Sequence, residues 1–358
     1  MKRHTFTGCI AVAVALVACG GGSNKPAETA KPVDTAGPAT DKDAAASPNT
    51  TTPPAEMVAS SSSAEVTKAI QSIKVGDWTS ARSLLEAALK KNPKQADAYY
   101  YLGLVMDKTG DKAAAEKNYK EAIGLQPDLQ EAAENLTAIY IENKKFEEAI
   151  GIAKKALEKN SKNAEMQLNL AVAMAGKGGD QEGARKAFDD ALKLAPNDAR
   201  FYLTYAQQLQ AWKRNDEAIA KLKQAGHVAH DDPGILATIA FELKGVREFK
   251  DCVDVLDRAI AAKDVAEVRV YRGQCKLGLK DKEGALADFQ AAVAKEPNSA
   301  PSHYHLGGAL ADSGKLKEAI AEWEQTLKLA PTGPLAKASQ AKIQKAKEIL
   351  AKGGGAKK

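Results

Sequence analysis

The chain has 358 residues, of which 44% are hydrophobic and 27% charged, with a formal charge of +5. Its basic side chains are interspersed with acids rather than gathered in one patch, which argues against a nucleic-acid binder. It has four cysteines but no CxxC or Cys/His cluster of metal-binding spacing. GxSxG, HExxH and phosphate-binding loops are also missing, so the reading is a non-enzyme without cofactor, metal or small-molecule substrate.

The first element is a basic start, Lys2, Arg3 and His4, followed by an apolar run from Ile10 to Ala18. The run is too short for a membrane span, which needs about 20 apolar residues. A basic start, a short apolar middle and small residues at the end describe an export signal over residues 1–18. Leu16-Val17-Ala18-Cys19 resembles the lipobox of bacterial lipoproteins. That resemblance implies cleavage before Cys19, a diacylglyceryl group on its thiol and, in many species, palmitate or a similar chain on the new amino group. Gly20 stands where lipoproteins kept at an inner membrane often carry Asp, which points to an outer membrane facing the periplasm of a Gram-negative cell. Loss of Lys2 and Arg3 with the signal lowers the charge to +3.

Residues 19–61 form a second kind of sequence, rich in Pro, Ala, Thr and Ser and without an aromatic side chain. Such a composition buries too little apolar surface to offset ordering. It reads as a disordered tether with a reach of roughly 35 Å.

From residue 62 a period of about 34 residues governs the chain. Pro93 and Pro127 are 34 apart, as are Pro297 and Pro331. Ala81, Ala115, Ala149, Ala184, Ala218, Cys252, Ala285 and Ala319 keep the same step, and Ala88, Ala122, Ala156, Ala191, Ala225, Ala259 and Ala292 follow seven residues behind. Each period divides into two helices joined at Gly76-Asp77, Gly110-Asp111, Asn143-Lys144 and Gly314-Lys315, and a proline ends the second. Asp232 is placed to cap a helix that carries Pro233 in its first turn. Neither helix hides its apolar face alone, so stacking supplies the core.

With Leu102-Gly103, Gly110-Asp111, Ala115, Tyr119, Ala122 and Pro127, and again Leu306-Gly307, Gly314, Ala319, Trp323 and Pro331, the chain resembles the tetratricopeptide family. The resemblance implies an all-α solenoid of about eight helix-turn-helix units over 62–333. A capping helix from about Leu335 to Ala351 follows, with Lys337, Lys342, Lys345, Lys347 and Lys352 on an outward face, and then a disordered basic tail. Cys252 and Cys275 are left for either a disulfide, which an exported compartment permits, or two buried thiols.

In this family the first helix of each unit lines a concave groove. The stripe facing it is expected to hold Tyr100, Leu104, Leu168, Val172, Leu203, Gln207, Phe241, Val270, Gln274, Leu277 and Tyr304. Chaperone-binding members clamp a terminal carboxylate there with lysines and asparagines, a set that this stripe does not supply. An apolar stripe with polar interruptions suits an extended peptide or an amphipathic helix. The resulting expectation is a lipid-anchored scaffold that holds envelope proteins of a pilus, secretion or gliding-motility machine. The alternative is a regulatory adaptor that docks a cell-wall enzyme.

Overall fold

The computed structural model describes residues 63–354; the export signal, Cys19, the tether and residues 355–358 lie outside the described residues. Of the described residues 81% are helical, in 17 helices with no strand. They fall into two compact units, an amino-terminal one ending at Arg214 and a carboxy-terminal one beginning at Asn215.

The amino-terminal unit contains α1 (Ala64–Lys74), α2 (Trp78–Lys91), α3 (Ala96–Lys108), α4 (Lys112–Leu125), α5 (Gln130–Glu142), α6 (Phe146–Lys159), α7 (Ala164–Lys177), α8 (Gln181–Leu194) and α9 (Ala199–Ala211). The carboxy-terminal unit contains α10 (Asn215–Val228), α11 (Pro233–Gly245), α12 (Phe249–Ala262), α13 (Ala266–Gly278), α14 (Lys282–Lys295), α15 (Ala300–Asp312), α16 (Leu316–Leu329) and α17 (Pro334–Gly354). Odd-numbered helices up to α15 open the repeats, and α17 is the cap. In both units the first helices of successive repeats touch: α1 with α3, α5 with α7 and α7 with α9 in one, α11 with α13 and α13 with α15 in the other. The second helices make no comparable contact with one another. The first helices therefore occupy the inner side of each unit's curve.

Small residues sit where paired backbones cross. Ala81, Ala115, Ala149, Ala184, Ala218, Cys252, Ala285 and Ala319 are all completely buried. The glycine of the Leu-Gly pair serves the same end. A β-carbon on Gly307 would stand 2.6 Å from Trp323, and one on Gly103 2.7 Å from the Tyr119 ring. The turn between the two helices needs one left-handed residue. It is Gly76, Gly110 and Gly314 in three repeats and Lys144, Lys213, Arg247 and Lys280 in four others, while the longer turn of the fourth repeat has two glycines of positive φ, Gly178 and Gly179. A residue with a β-carbon pays about 1–2 kcal/mol for that conformation, so these four are local costs that stacking absorbs.

Aspartates start the helices by accepting orphan amides: Asp111 from Ala114 N at 3.0 Å, Asp281 from Gly284 N at 2.9 Å, and Asp232 from Gly234 N and Ile235 N, both at 2.9 Å. Most second helices stop one residue before a proline, as at Gln126-Pro127 and Glu296-Pro297. Where "GHVAHDDP" lacks that proline, the Arg258 guanidinium instead covers the carbonyls of Gly226 (2.5 Å) and His230 that end α10, and it also meets Asp231.

Two features strengthen the carboxy-terminal unit. Cys252 in α12 and Cys275 in α13, both fully buried, are joined in a disulfide. Asp288 in α14, 2% exposed, is held by Arg272 at 2.5 Å, Lys276 at 2.9 Å and Arg269 at 3.6 Å. Arg272 reaches on to Asp257 and Arg269 to Asp264, so the buried carboxylate anchors a network. The cap α17 buries Ala336, Ile343 and Ala346 and runs to Gly354, past the expected end at Ala351.

Candidate docking faces of the first helices

The eleven residues expected to line the groove divide by burial. Tyr100, Leu104, Leu168, Val172 and Val270 are buried among helices, which corrects their expected place on an open surface. In these repeats the large members of the stripe belong to the packed core rather than to an open surface. Leu203, Gln207, Gln274, Leu277 and Tyr304 are half-buried, and Phe241 is 41% exposed.

On the amino-terminal unit, what stands beside this stripe is acid. Asn163, the cap of α7, donates to Glu134 at 2.6 Å and to Gln130 at 3.1 Å. Burial pushes the Glu134 carboxyl up to about 7; the Asn163 bond opposes the shift, and the charges of Glu165 and Glu131 add to it. Glu165 is raised by burial in the same way, against the attraction of Arg200, which it meets at 2.8 Å. Arg200 is shared with Asp198. Arg200 therefore meets two of the carboxylates, Glu165 and Asp198, of a group that also includes Glu131 and Glu134.

On the carboxy-terminal unit the same face is basic and aromatic. Phe241 and Lys244 are one turn apart on α11. The Lys244 ammonium lies 5.5 Å from the Phe241 ring centre and 4.8 Å from that of Tyr271 on α13, whose ring meets Phe241 edge-on. Lys244 donates to Gln274 Oε1 at 2.6 Å, and Gln274 Nε2 lies 2.9 Å from His305 Nε2 on α15. An ammonium has only donors, so Gln274 must turn its carbonyl to Lys244 and its NH₂ to His305. His305 Nε2 is then the acceptor, and the ring proton sits on Nδ1. His305 stacks on Phe289 at 5.5 Å. Burial first, and then the charges of Lys244 and Lys342, lower its pKa to about 4. Lys342 of the cap lies 5.6 Å from the Tyr304 ring and 5.5 Å from Trp323. It is exposed, as expected of the cap's outward lysine stripe, and the cap's seat on α15 and α16 also brings it over these rings.

Sequence reading found Phe241, Gln274 and Tyr304 but missed Lys244, Tyr271, His305 and Lys342. A signal was available for one of them. Lys244 follows Phe241 by three residues and so shares its helix face. Nothing in the sequence ties Lys342 to Tyr304, because the cap lies outside the period.

Two tetratricopeptide-repeat family models match the chain, one over residues 63–230 and one over 272–334. The described chain is a tetratricopeptide-repeat array. The chain is 25% identical over 68% of its length to cellulose synthase operon protein C of Xanthomonas axonopodis pv. citri, and 36% identical over 27% of its length to photosystem I assembly protein Ycf3 of a Synechococcus strain. It spans 18% of the first relative and 62% of the second. Among solved structures, yeast Tom70 aligns with 80% of the chain and 64% of its own, with a TM-score of 0.50 and 19% identity. That likeness concerns the fold. An array of such repeats is in general a scaffold for protein–protein contact.

Proposed function

We propose that the protein is a lipid-anchored adaptor of a bacterial envelope, which binds other envelope proteins on the inner faces of its first helices. Cys19, behind Leu16-Val17-Ala18, supports the anchor, and the sequence of residues 20–61 supports a reach away from the membrane. The Cys252–Cys275 disulfide agrees with an oxidising, exported compartment. The observation that carries the binding role is Phe241. A large apolar side chain, 41% exposed, stands on the inner face beside a lysine and a second ring rather than in the core. Buried aromatic anchors dominate binding energy at protein interfaces, and Phe241 is placed to become one.

Two measurements test the reading. Replacing Cys19 by Ala should abolish incorporation of labelled palmitate and leave unprocessed precursor; equal labelling with and without Cys19 removes the anchor. Leu203→Glu combined with Phe241→Glu should release envelope partners in pull-downs while helicity is kept. If the charged variant retains every partner, the inner faces are not the docking site.

A further inference from the structure

In the carboxy-terminal unit several lysines meet carboxylates: Lys223 meets Glu248 and Asp251, Lys276 meets Asp288, Lys295 meets Asp264, and Lys347 meets Glu324. Lys244 and Lys342 do not. Lys244 is half-buried, its one hydrogen bond goes to the neutral Gln274 amide, and its other neighbours are two aromatic faces. An ammonium has three donors, and a half-buried one without a counter-charge pays desolvation that no carboxylate offsets. Burial accordingly lowers the Lys244 pKa. Lys342 is exposed, and its ammonium also lies over two rings, those of Tyr304 and Trp323. Both lysines act on the half-buried His305 between them, which their charges help to keep neutral. The result is a face with two cations fixed over rings, an uncharged histidine and glutamine between them, and Phe241 exposed at one end.

We infer that this face of the carboxy-terminal unit docks an acidic segment of a partner protein, whose Asp or Glu side chains meet Lys244 and Lys342 while its apolar side chains lie on Phe241 and Tyr304. The inference rests on the docking role proposed above and specifies its chemistry. Charge complementarity selects the occupant. A basic segment would meet like charge at both lysines, and a purely apolar one would leave both ammonium groups covered and unpaired, at a high cost. The set differs from a clamp for a terminal carboxylate, since no asparagine is present and aromatic rings position the lysines.

The test uses the full-length protein in detergent and three short synthetic peptides: one of Leu and Glu, its Gln-for-Glu counterpart and its Lys-for-Glu counterpart. Binding is read by fluorescence anisotropy. The Glu peptide should bind at least about tenfold more tightly than the Gln peptide, and the Lys peptide should bind least. Lys244→Met with Lys342→Met keeps the aliphatic stems over the rings. It should bring the Glu peptide to the level of the Gln peptide and leave the Gln peptide unchanged, whereas the Arg variants should retain the preference. Equal binding of the Glu and Gln peptides, both lost in Phe241→Glu, would overturn the acidic assignment while sparing the docking role. Absence of any binding sensitive to Phe241→Glu would remove both. Binding of phosphatidylglycerol vesicles through the two lysines, with no binding of the Glu peptide, would assign the face to a membrane and overturn the inference.

Discussion

The two units share one backbone rule and differ in what they do with charge. In the amino-terminal unit the inner face carries two half-buried carboxylates, Glu134 and Glu165, relieved by Asn163 and by the half-buried Arg200. In the carboxy-terminal unit it carries Lys244 and His305, and the charged anchor lies deeper, at Asp288. The small residues at the crossings are the same in kind throughout. The repeat therefore constrains the crossings and the turns and leaves the inner face free to vary, which is where a scaffold of this type can acquire selectivity.

The largest expected effect isolates the carboxy-terminal unit. Asp288→Asn removes the buried carboxylate that Arg272, Lys276 and Arg269 share, leaving Arg272 with Asp257 and Arg269 with Asp264, and should cost up to about 3–5 kcal/mol. Hydrogen exchange resolved by region should show the loss in α13 and α14 and not in α3 to α7. Spread of the loss across both units would mean that they do not respond separately. Reduction of the disulfide, which closes a 23-residue separation, should cost the same unit roughly 3 kcal/mol in the loop-entropy view. It should leave the protection of α1 to α8 unchanged.

Acidification should move the two units in opposite directions. The pKa of His305 is depressed to about 4 from 6.5, so the unfolded chain takes up the proton first. Stability is full above about 6.5 and is lost as the pH falls towards 4, by up to ~3 kcal/mol. Glu134 is raised from 4.5 to about 7, so its contribution is present below 4.5 and disappears as the pH rises through 7, with a similar bound. Exchange protection compared at pH 5 and pH 8 should favour the amino-terminal unit at the lower pH and the carboxy-terminal unit at the higher. His305→Gln and Glu134→Gln should each flatten one side. A parallel response of both units would break the comparison. The smallest effect tests what the units share. Lys144→Gly in one and Arg247→Gly in the other relieve a left-handed β-carbon and should each gain up to about 1 kcal/mol in chemical denaturation.

The sequence by itself determined the repeat. The spacing of Ala81, Ala115, Ala149 and their successors, and the prolines that close the second helices, follow from local rules. A backbone crossing tolerates only small side chains, and a proline cannot continue a helix. The Leu-Gly pairs were legible for the same reason, and so were Asp232 as a cap and the existence of a last helix. Periodicity also placed the inner stripe, but it could not say how deep each member would lie. Tyr100, Leu168 and Val172 occupy the same stripe as Phe241, yet they are buried and Phe241 is exposed. Depth depends on how closely neighbouring first helices approach, a property of the stack and not of one repeat. The tertiary structure alone decided that Cys252 and Cys275 meet, that Asp288 collects three cations and that Lys342 lies over Tyr304 and Trp323. These contacts join different helices whose relative rotation is set by packing, and no local pattern in the chain encodes that rotation.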